Sequence, residues 1–224
     1  MTLKLGILAS GSGTNAQAMI DAAESGKLDA DIRIIIANRP GAPVLDRAKK
    51  HGIPSLCLDH KTFPSRESFD KRMAEELLSA GVDTVALAGY MRLVTPAFLD
   101  AFPNRVLNIH PAILPAFPGT HGARDAWEYG AKFSGCTVHI VNPVMDGGPI
   151  IVQAVLPVRQ EENDEELLNR IHVFEHRIYV QALQWLAEGR LYLDGRTMKL
   201  REAGKELAPQ PDLALIWPPL EKGF

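Results

Sequence analysis

The sequence predicts an α/β fold with a mostly parallel sheet. Short β-rich runs alternate with amphipathic helical stretches through its first half, the pattern that joins parallel strands by crossover helices. The first run passes straight into a glycine-rich turn, Ser10-Gly11-Ser12-Gly13-Thr14-Asn15, that opens a helix. After about residue 133 the alternation gives way to two runs joined by a turn-rich stretch, the mark of a hairpin or a reversed strand.

In chain order, the strand candidates of the first half are residues 3–9, 32–37, 54–58, 84–88 and 105–109. A helix begins near Ala16. Pro43 suits a first helical turn and Gly52 a C-terminal stop, and Gly81 closes the segment 65–80 in the same way. Five βα units follow. Strands at 135–141 and 150–156 then flank Asn142-Pro143 and Asp146-Gly147-Gly148. Asn163, with Glu166 three residues on, reads as a cap opening a helix to Glu188, before Gly189. Its core face is Leu167, Ile171, Phe174, Ile178, Ala182 and Trp185. Residues 201–224 carry Pro209, Pro211, Pro218 and Pro219 without steady periodicity, so they read as an extended C-terminal tail behind a single domain at 1–200. No internal repeat is evident.

Composition narrows the class of function. At 224 residues, the chain is somewhat longer than the ~150 of an average domain and can bury a full core. With 24 basic and 27 acidic residues and a net charge of −3, nothing favours a general nucleic-acid or acidic-membrane surface. No apolar run approaches the ~18 residues of a membrane span, and residues 3–9 are too short and weakly basic for a secretion signal, so a cytoplasmic location is expected. Cys57 and Cys136 lie far apart without a CxxC pair and read as buried small hydrophobes.

The glycine-rich turn is an anion site by construction, because amide groups at a helix N-terminus lack intrahelical partners and glycines let a phosphate approach the chain. Gly11-x-Gly13-x-x-Ala16 also satisfies a loose dinucleotide fingerprint. Asn38 and Arg39 stand where a ribose-binding carboxylate belongs, however, which disfavours NAD, leaves NADP to Arg39 and favours a phosphomonoester.

Asn108 and His110, two apart near the end of the fifth strand, point to one side where α/β folds bind ligands. An amide can donate to an oxygen gaining charge, and an imidazole can move the proton of an attacking amine. Asp146, on a glycine turn near the next strand, could contact that imidazole, favour its charged form and fix its tautomer. His172-Val173-Phe174-Glu175-His176 matches an H-x-x-E-H zinc pattern, but no third ligand is evident in the chain beyond it. Glu175 falls at the shoulder of the helix's apolar face, half-buried, and His172 is expected in solvent.

With these residues in hand, the chain resembles the phosphoribosylglycinamide formyltransferases, a folate-dependent formyltransferase family, over about residues 3–200. The likeness rests on the glycine-rich turn, Ser65-Arg66-Glu67-Ser68-Phe69-Asp70, Leu87-Ala88-Gly89-Tyr90-Met91-Arg92, Asn108-Ile109-His110-Pro111, Phe117-Pro118-Gly119-Thr120-His121, Asp146-Gly147-Gly148-Pro149 and Glu175-His176. It implies a Rossmann-like, mixed but mostly parallel twisted sheet with helices on both faces. It also implies transfer of a formyl group from 10-formyltetrahydrofolate to the amine of glycinamide ribonucleotide in purine biosynthesis.

By the same resemblance, Gly13, Thr14 and Asn15 hold the substrate phosphate and Glu175 its glycinamide end. Folate falls on Arg66, Met91, Arg92, Leu93, Val94, Asn108, Asn142, Val144 and Asp146. Catalysis falls on Asn108, His110 and Asp146, with no metal and the Leu114–Pro115 peptide cis. Ala112-Ile113 depart from the family's Ser-Leu and lose a hydroxyl. The expected partners are the two small-molecule substrates, with no nucleic acid or membrane, the chain acting as a monomer or homodimer. A related tRNA formyltransferase and a formyltetrahydrofolate deformylase carry extra domains that a chain of this length leaves little room for.

Overall fold

Leu3, Leu5, Ile7, Leu8 and Ala9 are all buried, as a strand covered on both faces requires, and this strand is the centre from which the computed structural model is built. The structure describes residues 1–202, 215–218, 220, 221, 223 and 224. The chain divides into two compact units, Met1–Asn108 with Ile140–Pro143, and Ile109–His139 with Val144–Phe224.

In the first unit β1 (Leu3–Ala9) pairs in parallel with β2 (Ala30–Ala37) on one side and β4 (Thr84–Leu87) on the other. Beyond them, β3 (Ser55–Cys57) pairs with β2, and β5 (Val106–His110) with β4, again in parallel. Strand order therefore reverses between β1 and β4, and the loops at their carboxyl ends form a topological switch point of the kind that binds ligands in open α/β sheets. Ser10 ties these loops together: its N–H donates to the Gly89 carbonyl at 3.1 Å, and its hydroxyl accepts from the Met91 N–H at 2.9 Å.

The helices of this unit are α1 (Thr14–Glu24), α2 (Val44–Lys50), α3 (Arg66–Ser79) and α4 (Pro96–Ala101). Pro43 stands at the N-cap of α2, and a Ser65/Ser68 capping box opens α3. Phe69, Met73 and Leu77 of α3 join Leu8, Ile36, Val85 and Phe98 in one apolar cluster.

The second unit contains α5 (Gly122–Tyr129), β6 (Phe133–Ile140), β7 (Ile150–Pro157), α6 (Asp164–Ala187) and a hairpin of β8 (Leu191–Asp194) with β9 (Thr197–Leu200). β6 and β7 are antiparallel, which settles the hairpin-or-reversed-strand expectation in favour of the hairpin. The Asn163/Glu166 capping box opens α6 as its sequence predicts, and Glu188 caps its end. Within the region read as a tail, β10 (Leu215–Trp217) pairs antiparallel with β7 and buries Ile216. Arg190, also buried, holds Glu221 at 2.6 Å. Pro209, Pro211 and Pro219 of that expected tail lie outside the described residues. Hydrogen bonding places the strands in one mixed, mostly parallel eight-stranded sheet of order β10-β7-β6-β5-β4-β1-β2-β3, with β8 and β9 apart from it. Among the described residues, no helix is long and apolar enough to cross a membrane.

Gly135 leaves no room for a side chain in the β6–β7 ladder. A Cβ built there lies 1.8 Å from the Ala154 carbonyl oxygen, so any side chain forces the strands apart. Gly135→Ala is expected to lower stability by about 2–3 kcal/mol, read from the midpoint of chemical denaturation at unchanged denaturant slope.

Candidate active site

The glycine-rich turn lies where the sequence places it, between β1 and α1 in the first unit. Gly13 is the N-cap of α1 with φ 70°, a left-handed conformation that glycine adopts without penalty. A Cβ there would meet Val44 Cγ2 at 2.4 Å, so the turn is also packed against the start of α2. The first helical bond runs from the Gln17 N–H to the Gly13 carbonyl at 2.9 Å, which sets Thr14, Asn15 and Ala16 in the first turn of the helix. Arg47 fixes the turn from α2, its Nε donating to the Ser12 carbonyl at 2.8 Å. The positive end of the α1 dipole lies at this turn, a geometry suited to an anion.

In the same unit, Arg66 opens α3 and is exposed, and Met91 and Leu93 present exposed apolar side chains. Val94 turns inward and is buried. Asn108 and Asn142 are both partly exposed, Asn108 within β5 opposite Leu87 of β4.

In the second unit, His110 and Asp146 come together as the turn at 146–148 suggests. His110 is buried, with Nδ1 3.6 Å from Asp146 Oδ2. Its Nε2 lies 2.8 Å from the Phe117 carbonyl, which can only accept, so Nε2 carries a hydrogen. An imidazolium here thus finds an acceptor at one nitrogen and a carboxylate facing the other. Asp146 receives the Gly119 N–H at 2.8 Å, and its second oxygen lies 3.7 Å from His139 Nε2. A register shift between Val138 and His139 in β6 re-aims the strand at this point.

Phe117 (φ 52°) and Asp146 (φ 50°) both hold the left-handed conformation, costly for residues with a Cβ and concentrated at functional sites. Leu114–Pro115 is cis, as the resemblance implies. The loop around it is stapled by Thr137, whose hydroxyl donates to the Ala112 carbonyl at 2.7 Å and accepts from the Leu114 N–H at 3.1 Å. Gln153 adds bonds to Thr137 and to the Leu114 carbonyl. Sequence reading included Phe117 and Gly119 in the family likeness without a role and missed Gly122, Thr137 and His139, because each acts through a tertiary contact. The signal available for Gly122 was only its place at a helix start. A Cβ there would lie 2.8 Å from His110 Nε2.

Three expectations on α6 need correction. Glu175 is not at a half-buried shoulder but buried at 3% exposure, and His172 is not in solvent but partly buried. Phe174, expected on the core face, is only partly buried. Residues 178–183 are buried nearly all round, so α6 is enclosed rather than simply amphipathic, and the shoulder of its apolar face lies inside the protein. His172 stacks on His176 with rings 12° from parallel, and Glu175 lies 3.9 Å from His172. Burial lowers both histidines from their ordinary values, and in His176 the neighbouring His172 adds to the effect. Among the described residues, no cluster of three or more His, Cys, Asp or Glu side chains could hold a metal ion.

A sequence model of the formyl transferase family matches residues 3–183. The phosphoribosylglycinamide formyltransferase of Escherichia coli K12 is 39% identical over 204 residues, spanning 91% of this chain and 95% of that one. The trifunctional purine biosynthetic protein adenosine-3 of Drosophila melanogaster is 43% identical over 188 residues, yet the chain spans only 14% of its length. Among solved structures, glycinamide ribonucleotide transformylase 1 from Symbiobacterium toebii superposes with a TM-score of 0.88 at 48% identity, over 89% of this chain and 94% of the other. The likeness takes in the glycine-rich turn, both strands that lead into the His110–Asp146 cluster and most of α6, and on that extent the chain belongs to the formyl transferase family.

Proposed function

We propose that the protein transfers the formyl group of 10-formyltetrahydrofolate to the amine of N1-(5-phosphoribosyl)glycinamide, as a phosphoribosylglycinamide formyltransferase of purine biosynthesis. The observation that carries this reading is the pair made by the buried His110 imidazole and the partly buried Asp146 carboxylate, 3.6 Å apart in a chain so widely similar to formyltransferases. The substrate amine attacks the formyl carbon, a C–N bond forms, the bond to folate N10 breaks, and the proton lost by the amine is returned to N10. Asn108 and the His110 imidazolium stabilise the oxyanion, and His110 or a relayed water moves the proton. Asp146 supports the imidazolium. No covalent enzyme intermediate is needed.

Gly13, Thr14 and Asn15 hold the phosphate through backbone N–H groups, and Glu175 receives the cationic glycinamide end. Folate is taken by Arg66, Met91, Arg92, Leu93, Val94, Asn108, Asn142, Val144 and Asp146. The chain works in the cytoplasm on small molecules, as a monomer or homodimer, with residues 1–200 as its formyltransferase domain.

His110→Ala and Asp146→Ala are each expected to cut kcat by ~10²–10⁴-fold in an assay following folate absorbance, with ribonucleotide binding retained by calorimetry. Near-normal turnover in either variant refutes the catalytic assignment. Gly13→Val and Glu175→Gln are expected to raise the KM for the ribonucleotide and leave that for folate unchanged, and a chelator should leave turnover intact. Loss of folate binding alone would count against both ribonucleotide contacts.

A further inference from the structure

Asp70 is a charged side chain with only 1% exposure, and the chemistry proposed above does not use it. It faces inward from α3, beside Phe69 and one helical turn after Arg66. Its Oδ2 accepts the backbone N–H of Thr95 at 2.6 Å. Thr95 is the residue immediately after the segment 91–94 and caps α4. Within that segment, the Arg92 guanidinium lies over the Phe69 ring, 5.3 Å from its centre. Three features therefore converge on one buried carboxylate: the anchor of the loop's far end, the loop's own arginine, and the arginine that opens α3.

We propose that Asp70 is a positioning residue for folate, holding the segment 91–94 by the Thr95 amide and orienting Arg92 and Arg66 by its charge. The proposal rests on the reading that these residues meet folate. A buried carboxylate that merely stabilised the fold should have its charge favoured there, and Asp70 shows the reverse. Burial pushes its carboxyl above the ordinary value, outweighing the Thr95 hydrogen bonds and the positive charges of Arg92 and Arg66 that pull it down. The charge of Asp70 acts in turn on the buried Tyr90 hydroxyl, which burial and then that charge push up. For an acid whose folded value is raised, stability is full below the unfolded value and falls as pH rises through the folded one, so ionising Asp70 works against folding. A carboxyl whose ionisation costs stability, bonded to a loop anchor and acted on by the charges of two arginines, fits a site that gives up stability for function.

The substitution that separates these roles is Asp70→Asn, which keeps an acceptor for Thr95 but removes the charge. It is expected to leave the melting temperature at pH 7.5 unchanged or raise it, while raising the KM for 10-formyltetrahydrofolate about tenfold with that for the ribonucleotide unchanged. Asp70→Ala should in addition speed hydrogen exchange of the Thr95 amide and its neighbours at 91–94, measured without any substrate. A fall in melting temperature with equal KM rises for both substrates overturns the proposal, as does unaltered exchange in Asp70→Ala. If the wild-type protein fails to transfer formyl groups at all, the functional reading falls on its own, and exchange still decides whether Asp70 anchors the segment.

Discussion

The carboxylate of Asp146 is the contact on which the rest of the candidate site depends. Its two oxygens meet His110, His139 and the Gly119 N–H, so one side chain fixes an imidazole at the end of β5, another in β6 and the loop between β5 and α5. A negative charge removed from bulk water is tolerable only where donors converge, and this one is supplied by backbone and side chain alike. The geometry also selects a tautomer. With the Phe117 carbonyl taking the hydrogen on Nε2 of His110, the neutral ring turns a bare Nδ1 to the carboxylate, and only an imidazolium presents a hydrogen to both.

That arrangement needs two residues in a backbone region that side chains avoid. Phe117 delivers its carbonyl to His110 from φ 52°, and Asp146 delivers its carboxylate from φ 50°. Neither conformation would persist in a free loop, where such a residue costs of order ~1–3 kcal/mol. Both are over-determined by neighbours. The Val144–Gly147 turn closes with a 3.0 Å hydrogen bond, and Thr137 and Gln153 pin the approach to Phe117 from the antiparallel strands. The hydroxyl that Ala112 lacks is not needed for this staple, because Thr137 binds the Ala112 backbone instead of its side chain.

What could be read from the sequence follows from what kind of force sets each feature. β1 was legible to the residue because its apolar run is nearly unbroken and stops at Ser10-Gly11, and the Asn163/Glu166 cap of α6 was legible because capping is local. The proximity of His110 and Asp146 was legible from a strand end and a glycine turn. α4 and α5 were not, since α4 has six residues and the N-cap of α5, His121, offers no side-chain capping bond. β10 escaped notice because three residues followed by Pro218 carry too short a pattern to show alternation. Glu175 was misplaced for a different reason: a one-helix periodicity reports which face is apolar and not how many sides of the helix are covered.

The pairing of β1 sets the order of events when the chain folds. Leu5 pairs with Ile32 on one edge and with Thr84 on the other, so the central strand cannot be closed on both sides until the chain has run out through β2, β3 and α3 and come back. Parallel pairings of this reach delay folding, because the entropy of closing a long loop is lost before the contacts it permits are gained. Until β4 arrives, β1 holds an open row of backbone donors and acceptors flanked by Ile7 and Leu8, the surface through which a half-folded chain would stick to another. The strand that positions the anion-binding turn is thus also the place where the chain is most exposed to misassembly.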